Sequence, residues 1–98
     1  MVLSHEEIVD LVFHRINNNP RYDTIIKHFF YEQRGVCGEI DIVTFENNHA
    51  HYYEIKEHLH NKSYFRAREQ FSRARMALPD YDWKFVIVSN EGVKRVFL

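Results

Sequence analysis

Cysteine, proline and glycine are all scarce in this chain of 98 residues, at one, two and three copies. The lone Cys37 excludes an internal disulfide, and we read it as a small apolar residue. With so few breakers there is no Pro/Gly-rich linker, low-complexity tract or internal repeat to divide the chain. Residues 1–98 therefore read as one domain, large enough for a core with little to spare. No apolar run approaches the roughly 18 residues of a membrane span, so no membrane partner is expected. Acids stand near the N-terminus where a signal peptide would be basic, which predicts an intracellular, cytoplasmic protein.

What is present is a globular composition, 45% hydrophobic and 15% aromatic, with a net charge of −1 that argues against indiscriminate polyanion binding. That near-neutrality hides an asymmetry. Residues 1–57 hold ten acids against five Lys or Arg, a balance of −5. Between Asn61 and Ala77, Lys62, Arg66, Arg68, Arg73 and Arg75 face only Glu69, a balance of +4. An acidic zone beside a basic one suits a metal site next to a phosphate-binding face.

Local patterns give the elements. Residues 4–17 read as a helix, with Ser4 and Glu7 forming a capping box and Val9, Val12 and Ile16 at helical spacing. Asn17 to Pro20 ends it. An aromatic-rich strand over 24–33 leads into a turn over Arg34–Gly38, helped by two glycines. Two β-branched and aromatic runs then flank Asn47–Asn48, the pattern of a β-hairpin closed by a primed turn. A second helix over 62–78 carries the stripe Tyr64, Ala67, Phe71, Ala74 and Leu78, and Pro79 stops it. Residues 83–89 are a near-continuous apolar strand, covered on both faces, and 93–98 a short final one. The order αβββαββ predicts an α/β fold: a mixed sheet flanked by helices, with the second helix as crossover.

The hairpin carries the chemistry. A turn centred on Asn47–Asn48 pairs residues whose numbers sum to 95, which sets Asp41 opposite Glu54 and Glu39 opposite Lys56. Directly opposed side chains share a face, and two facing carboxylates repel. A divalent cation between them would convert repulsion into binding. Glu39 reads as the charge partner of Lys56 across the ladder.

Gly38-Glu39-Ile40-Asp41 followed by Glu54-Ile55-Lys56 resembles the core of the PD-(D/E)XK nuclease superfamily, and the element order fits it along nearly the whole chain. The nearest-looking branches are archaeal Holliday-junction resolvases and small proteins with a Gly-Glu-Ile-Asp strand. The chain departs in having Ile40 where many members have Pro, and in being shorter than most, with no room for a dedicated recognition domain. The resemblance implies a restriction-endonuclease-like fold and Mg²⁺-dependent hydrolysis of DNA, with Mn²⁺ as a substitute. It implies Mg²⁺ held by Asp41, Glu54 and the Ile55 carbonyl, with Lys56 positioning or activating the attacking water. Many members add an acid from the first helix. On the helical wheel His5 shares the direction of the apolar stripe, Glu6 lies about 100° away and Glu7 about 160° the other way. Glu7 is taken up as a cap, so Glu6 is preferred, with His5 as its alternative.

Gln70, about 80° from the stripe of the second helix, matches a glutamine that some branches place beside the active site. Lys62, Arg66 and Arg73 are candidates for phosphate contacts, and His58, two residues past Lys56, for substrate contact. The expectation is structure-directed cleavage of branched or duplex DNA by a homodimer, since a small nuclease without a reading module must use shape and backbone. Two alternatives remain: a binding module on the same fold without turnover, and a zinc-stabilised interaction domain. The last would draw on the pairs His49/His51 and His58/His60, which the hairpin register keeps far apart.

Overall fold

The computed structural model describes residues 2–96. Its elements are α1 (His5–Asn17), β1 (Thr24–Gln33), β2 (Val36–Glu46), β3 (His49–Ile55), α2 (Asn61–Ala77), β4 (Asp82–Ser89) and β5 (Gly92–Val96). The five strands form one mixed sheet in the order β1-β2-β3-β4-β5. Only β3 and β4 are parallel, joined by the α2 crossover. The expected final strand over 93–98 is seen as Gly92–Val96, its last two positions lying outside the described residues.

Local chemistry explains the boundaries. Ser4 and Glu7 close the capping box at the start of α1. The hairpin register is as expected from the turn, with Glu46 opposite His49 and Thr44 opposite His51, up to Ile42 opposite Tyr53, but the ladder stops there and the expected pair of Asp41 with Glu54 is not formed. Asn47 takes the positive φ (55°) of the turn, and its N–H donates to Asp23 Oδ2 at 3.0 Å. The earlier turn is tighter than the expected span over Arg34–Gly38. Arg34 and Gly35 both have positive φ and connect the paired Gln33 and Val36, the pattern of a two-residue primed turn. Gly38 is not part of it. It lies within β2, opposite Tyr31, whose buried ring crosses so closely that an added Cβ would sit 2.6 Å from the phenol oxygen. Cys37, expected to pack as a small apolar side chain, is exposed.

Each face of the sheet has its own cluster. On one, Ala67, Phe71, Ala74 and Ala77 of α2 pack on Tyr31, Ile40, Val43, Tyr52, Phe85, Ile87 and Val96. The small alanines let the helix approach, and Phe71 stacks on Phe85 with centroids 4.5 Å apart. On the other, Ile8 and Val9 of α1 cover Ile42, Ile55, Val86 and Val88. β4 feeds both clusters alternately, as its apolar run predicts. At one place alternation fails: Ile40 and Ile42, two residues apart, lie in different clusters. There the β1–β2 ladder skips from Lys27/Ile42 to Phe29/Ile40, leaving out His28 and Asp41, and His28 adopts φ +55°. A positive φ on a non-glycine residue inside a strand is a local strain of order 1–3 kcal/mol.

Gly38→Ala should destabilise the domain by about 1–3 kcal/mol through displacement of the Tyr31 ring. Adding Tyr31→Leu should recover part of that loss, measured as the urea midpoint of the single and double variants.

Candidate active site

The interruption of the sheet is what exposes Asp41. β2 follows β1 along its length, but the β2–β3 ladder ends at Ile42/Tyr53. β3 continues instead against β4 through Ile55/Val88, and the Lys56 N–H bonds the Val88 carbonyl at 3.0 Å. The Ile55 N–H, left without a strand partner, is taken by the Asp41 side chain, Oδ2 accepting at 2.9 Å. A carboxylate thus does the work of a ladder carbonyl, and the gap between the diverging strands becomes a cleft.

That cleft, about 590 Å³, is lined by His5, Glu6, His28, Glu39, Asp41, Glu54, Ile55, Lys56, Glu57 and Gln70. It gathers Asp41, Glu54, Ile55, Lys56, Glu6 and Gln70 from four elements and the segment after β3. Glu54 is 6% exposed, and its Oε2 is buried with no hydrogen-bond partner. Burial drives its pKa well above the usual carboxylate range, the adjoining Asp41 carboxyl pushes it further, and Lys56 only partly opposes them. An unpartnered buried carboxylate oxygen beside a second carboxylate is a place for a proton or a cation.

From α1 it is His5 that reaches the acids: its Nε2 stands 3.4 Å from Asp41 Oδ2 and its Nδ1 3.4 Å from Glu6 Oε1. Glu6 lies in the cleft but faces His28 Nε2 at 3.4 Å, and Glu7 serves the cap. The balance of Glu39 against Lys56 is not found. Glu39 Oε1 pairs with His28 Nδ1 at 3.1 Å, because β3 has left β2 before that position while His28 of β1 lines the same cleft. His28 and Glu57 escaped the sequence reading. Glu57 accepts from the His5 N–H at 3.2 Å and so fastens the start of α1 beside Lys56.

The basic candidates lie elsewhere. Lys62, Arg66 and Arg73 are exposed on α2, outside the cleft lining, and form no ion pair among the described residues. Arg68 and Arg75 lie over the rings of Tyr64 and Phe71. His58 is held by Glu91, Nδ1 to Oε2 at 2.8 Å, and does not line the cleft. The other histidines are separately engaged: His49 with Asp82 at 3.0 Å, His51 against the rings of Tyr22 and Tyr53, and His60 as the cap of α2. Among the described residues no three His, Cys, Asp or Glu side chains converge as a metal-holding group. No helix there is long and apolar enough to cross a membrane.

Comparison with known proteins leaves the geometry to stand alone. No family model, curated protein or solved structure matches the chain.

A raised carboxyl pKa in the folded state means that stability is complete below the ordinary value near 4.5 and falls as pH rises toward the folded value. Glu54→Gln, in the absence of divalent cations, should therefore raise the melting temperature at pH 8 by several degrees, on the order of 1 kcal/mol or more. The gain should shrink as the pH approaches 4, as read by thermal melts across that range.

Proposed function

We propose that the domain is a Mg²⁺-dependent endonuclease acting on DNA, with the restriction-endonuclease-like arrangement that its hairpin motif resembles. One observation carries this reading: the Asp41 carboxylate, fixed on the Ile55 N–H, meets a buried Glu54 with an unpartnered oxygen, in a cleft also lined by Lys56 and Gln70. The available donors, two carboxylates and the Ile55 carbonyl, are all oxygen, which suits a hard cation that keeps several waters better than it suits zinc. When bound, Mg²⁺ would neutralise charge on a phosphate and lower the pKa of a bound water.

The chain's own groups supply the rest. The Ile55 N–H holds Asp41 in one orientation, and burial keeps Glu54 dry, so an arriving cation meets two poorly solvated acceptors. Lys56, beside Glu54, places a positive charge where a phosphate oxygen would develop negative charge, or orients a water through its Nζ. The Gln70 amide, arriving from α2, can donate to a phosphate oxygen and accept from a water at once. The strongly acidic cleft needs a cationic route for its polyanionic substrate, and Arg66 and Arg73 of α2, without an ion pair among the described residues, offer one. Contacts of that kind recognise backbone and shape, which favours structure-directed cleavage of branched DNA.

A second reading, a nucleic-acid-binding module without turnover, rests on Lys62, Arg66 and Arg73, which lie exposed on α2 outside the cleft and suit phosphate contact without chemistry.

Branched and linear DNA incubated with Mg²⁺ or with EDTA separates the two. Cleavage should require Mg²⁺ and should fall by roughly 100-fold or more in Asp41→Ala and in Lys56→Ala, both of which keep the wild-type circular dichroism spectrum. DNA binding without cutting would leave the module reading standing. Arg73→Ala should weaken DNA binding and flatten its salt dependence by about one unit of log–log slope, measured by titration at several salt concentrations.

A further inference from the structure

A second cleft lies on the α1 face of the sheet and shares no residue with the first. It arises from incomplete cover. Five strands span about 20 Å, one helix covers about 10 Å, and α1 packs on β1, β2 and β3. Val86 and Val88 of β4 are still buried beneath it, but β5 is left without cover, and a trough of about 420 Å³ runs between Ile8, Leu11, Val12 and Ile16 of α1 and Val93 of β5, with Val86 and Val88 at its floor. Leu11 and Val93 are 44% and 66% exposed along its rim.

The two ends of the trough differ. At the N-terminal end of α1 the Asn90 side chain accepts from the Leu3 N–H and donates to the carbonyls of Leu3 and Glu57, at 2.8–2.9 Å. This clamp ties residue 3 to the β4–β5 turn and closes that end. At the other end stand Arg15, in the last turn of α1, and Arg95, which pairs with Val86 in the register and so lies away from the clamp. Neither arginine forms an ion pair among the described residues, and no acid lines the trough. A blind apolar channel with two guanidinium groups at its open end is complementary to a molecule with an apolar tail and an anionic head.

We propose that this trough binds a free medium-chain carboxylate, tail toward the Asn90 clamp and carboxylate between Arg15 and Arg95. A partner helix fits less well, because the clamp blocks the through-passage that a helix lying beside α1 would need. A second copy of the chain would bring its own Arg15 and Arg95 to the same exposed rim.

The test is calorimetric titration of the whole protein with decanoate, decanol and decyltrimethylammonium, each below its micelle concentration. Decanoate should bind with 1:1 stoichiometry and at least tenfold more tightly than the cation. Arg15→Gln with Arg95→Gln should remove that preference while decanol binding stays. Leu11→Trp, at a half-exposed position that tolerates a large ring, should abolish binding of all three, and Val93→Trp should do the same from the opposite wall. Equal affinity for decanoate and the cation, saturation unaffected by both tryptophan variants, or no saturable decanoate binding would each overturn the proposal. So would a concentration-dependent dimer lost in Leu11→Trp with no decanoate bound, which would assign the cleft to a second copy.

Discussion

The hydrogen bond from the Ile55 N–H to Asp41 Oδ2 marks the point at which the sheet stops being uniform. Had β2 and β3 stayed paired, that N–H would have met a backbone carbonyl and Asp41 would have been one more side chain on a sheet face. Because the strands part after Ile42 and Tyr53, the side chain is drawn into the ladder and the space beyond it opens. The same position is skipped in the β1–β2 ladder, where His28 takes its left-handed backbone. One residue, Asp41, therefore sits at two interruptions at once. Strain, an orphaned donor and a displaced carboxylate are all concentrated there, which is the pattern expected of a functional position rather than of a structural strand.

Around that point the electrostatics are arranged in pairs that leave Glu54 out. Glu6 and Glu39 each meet His28, and Asp41 meets His5. Glu54 is deeper than any of them and has Lys56 as its opposing charge, but one oxygen remains bare. A buried acid in this state adopts its neutral form unless something positive arrives, so the cleft is biased toward taking up a cation or a proton. The basic side chains of α2 do not cancel this charge, because they are directed to solvent or over aromatic rings. The acidic interior and the basic exterior stay separate functions of the surface.

Much of this architecture is visible in single residues. The Asn47–Asn48 turn specifies the hairpin register, since the bulky runs on each side permit only one pairing that keeps Ala50, Tyr52, Ile42 and Val43 buried. The capping box marks the start of α1, and the unbroken run from Phe85 to Val88 marks the central strand. The misses have physical causes. Extending the register to Asp41/Glu54 and Glu39/Lys56 assumes that a ladder continues while its side chains alternate, and nothing local announces that the strands diverge. The positive φ of His28 is likewise set by tertiary context. On the helical wheel His5 points with the apolar stripe and Glu6 to its flank; both line the cleft, and His5 is the one that reaches Asp41. Glycine favours turns, which draws Gly38 into the expected turn over Arg34–Gly38, whereas within β2 it makes room for Tyr31.

The position of α1 links the two clefts. Its start is held by Glu57, just past the catalytic candidate Lys56, and by Asn90 at the β4–β5 turn, while Lys27 of β1 reaches Asp10 in its middle at 3.3 Å. These ties hold the helix over the first three strands, where His5 can meet Asp41. A helix drawn further toward β5 would bury Val93 better but would carry His5 and Glu6 away from the parted strands. The trough beside β5 thus follows from the placement of the helix over the first cleft. Apolar surface left uncovered for that reason costs about 25 cal/mol for each Å². A ligand that covers it and meets the two arginines would recover part of that cost without moving α1.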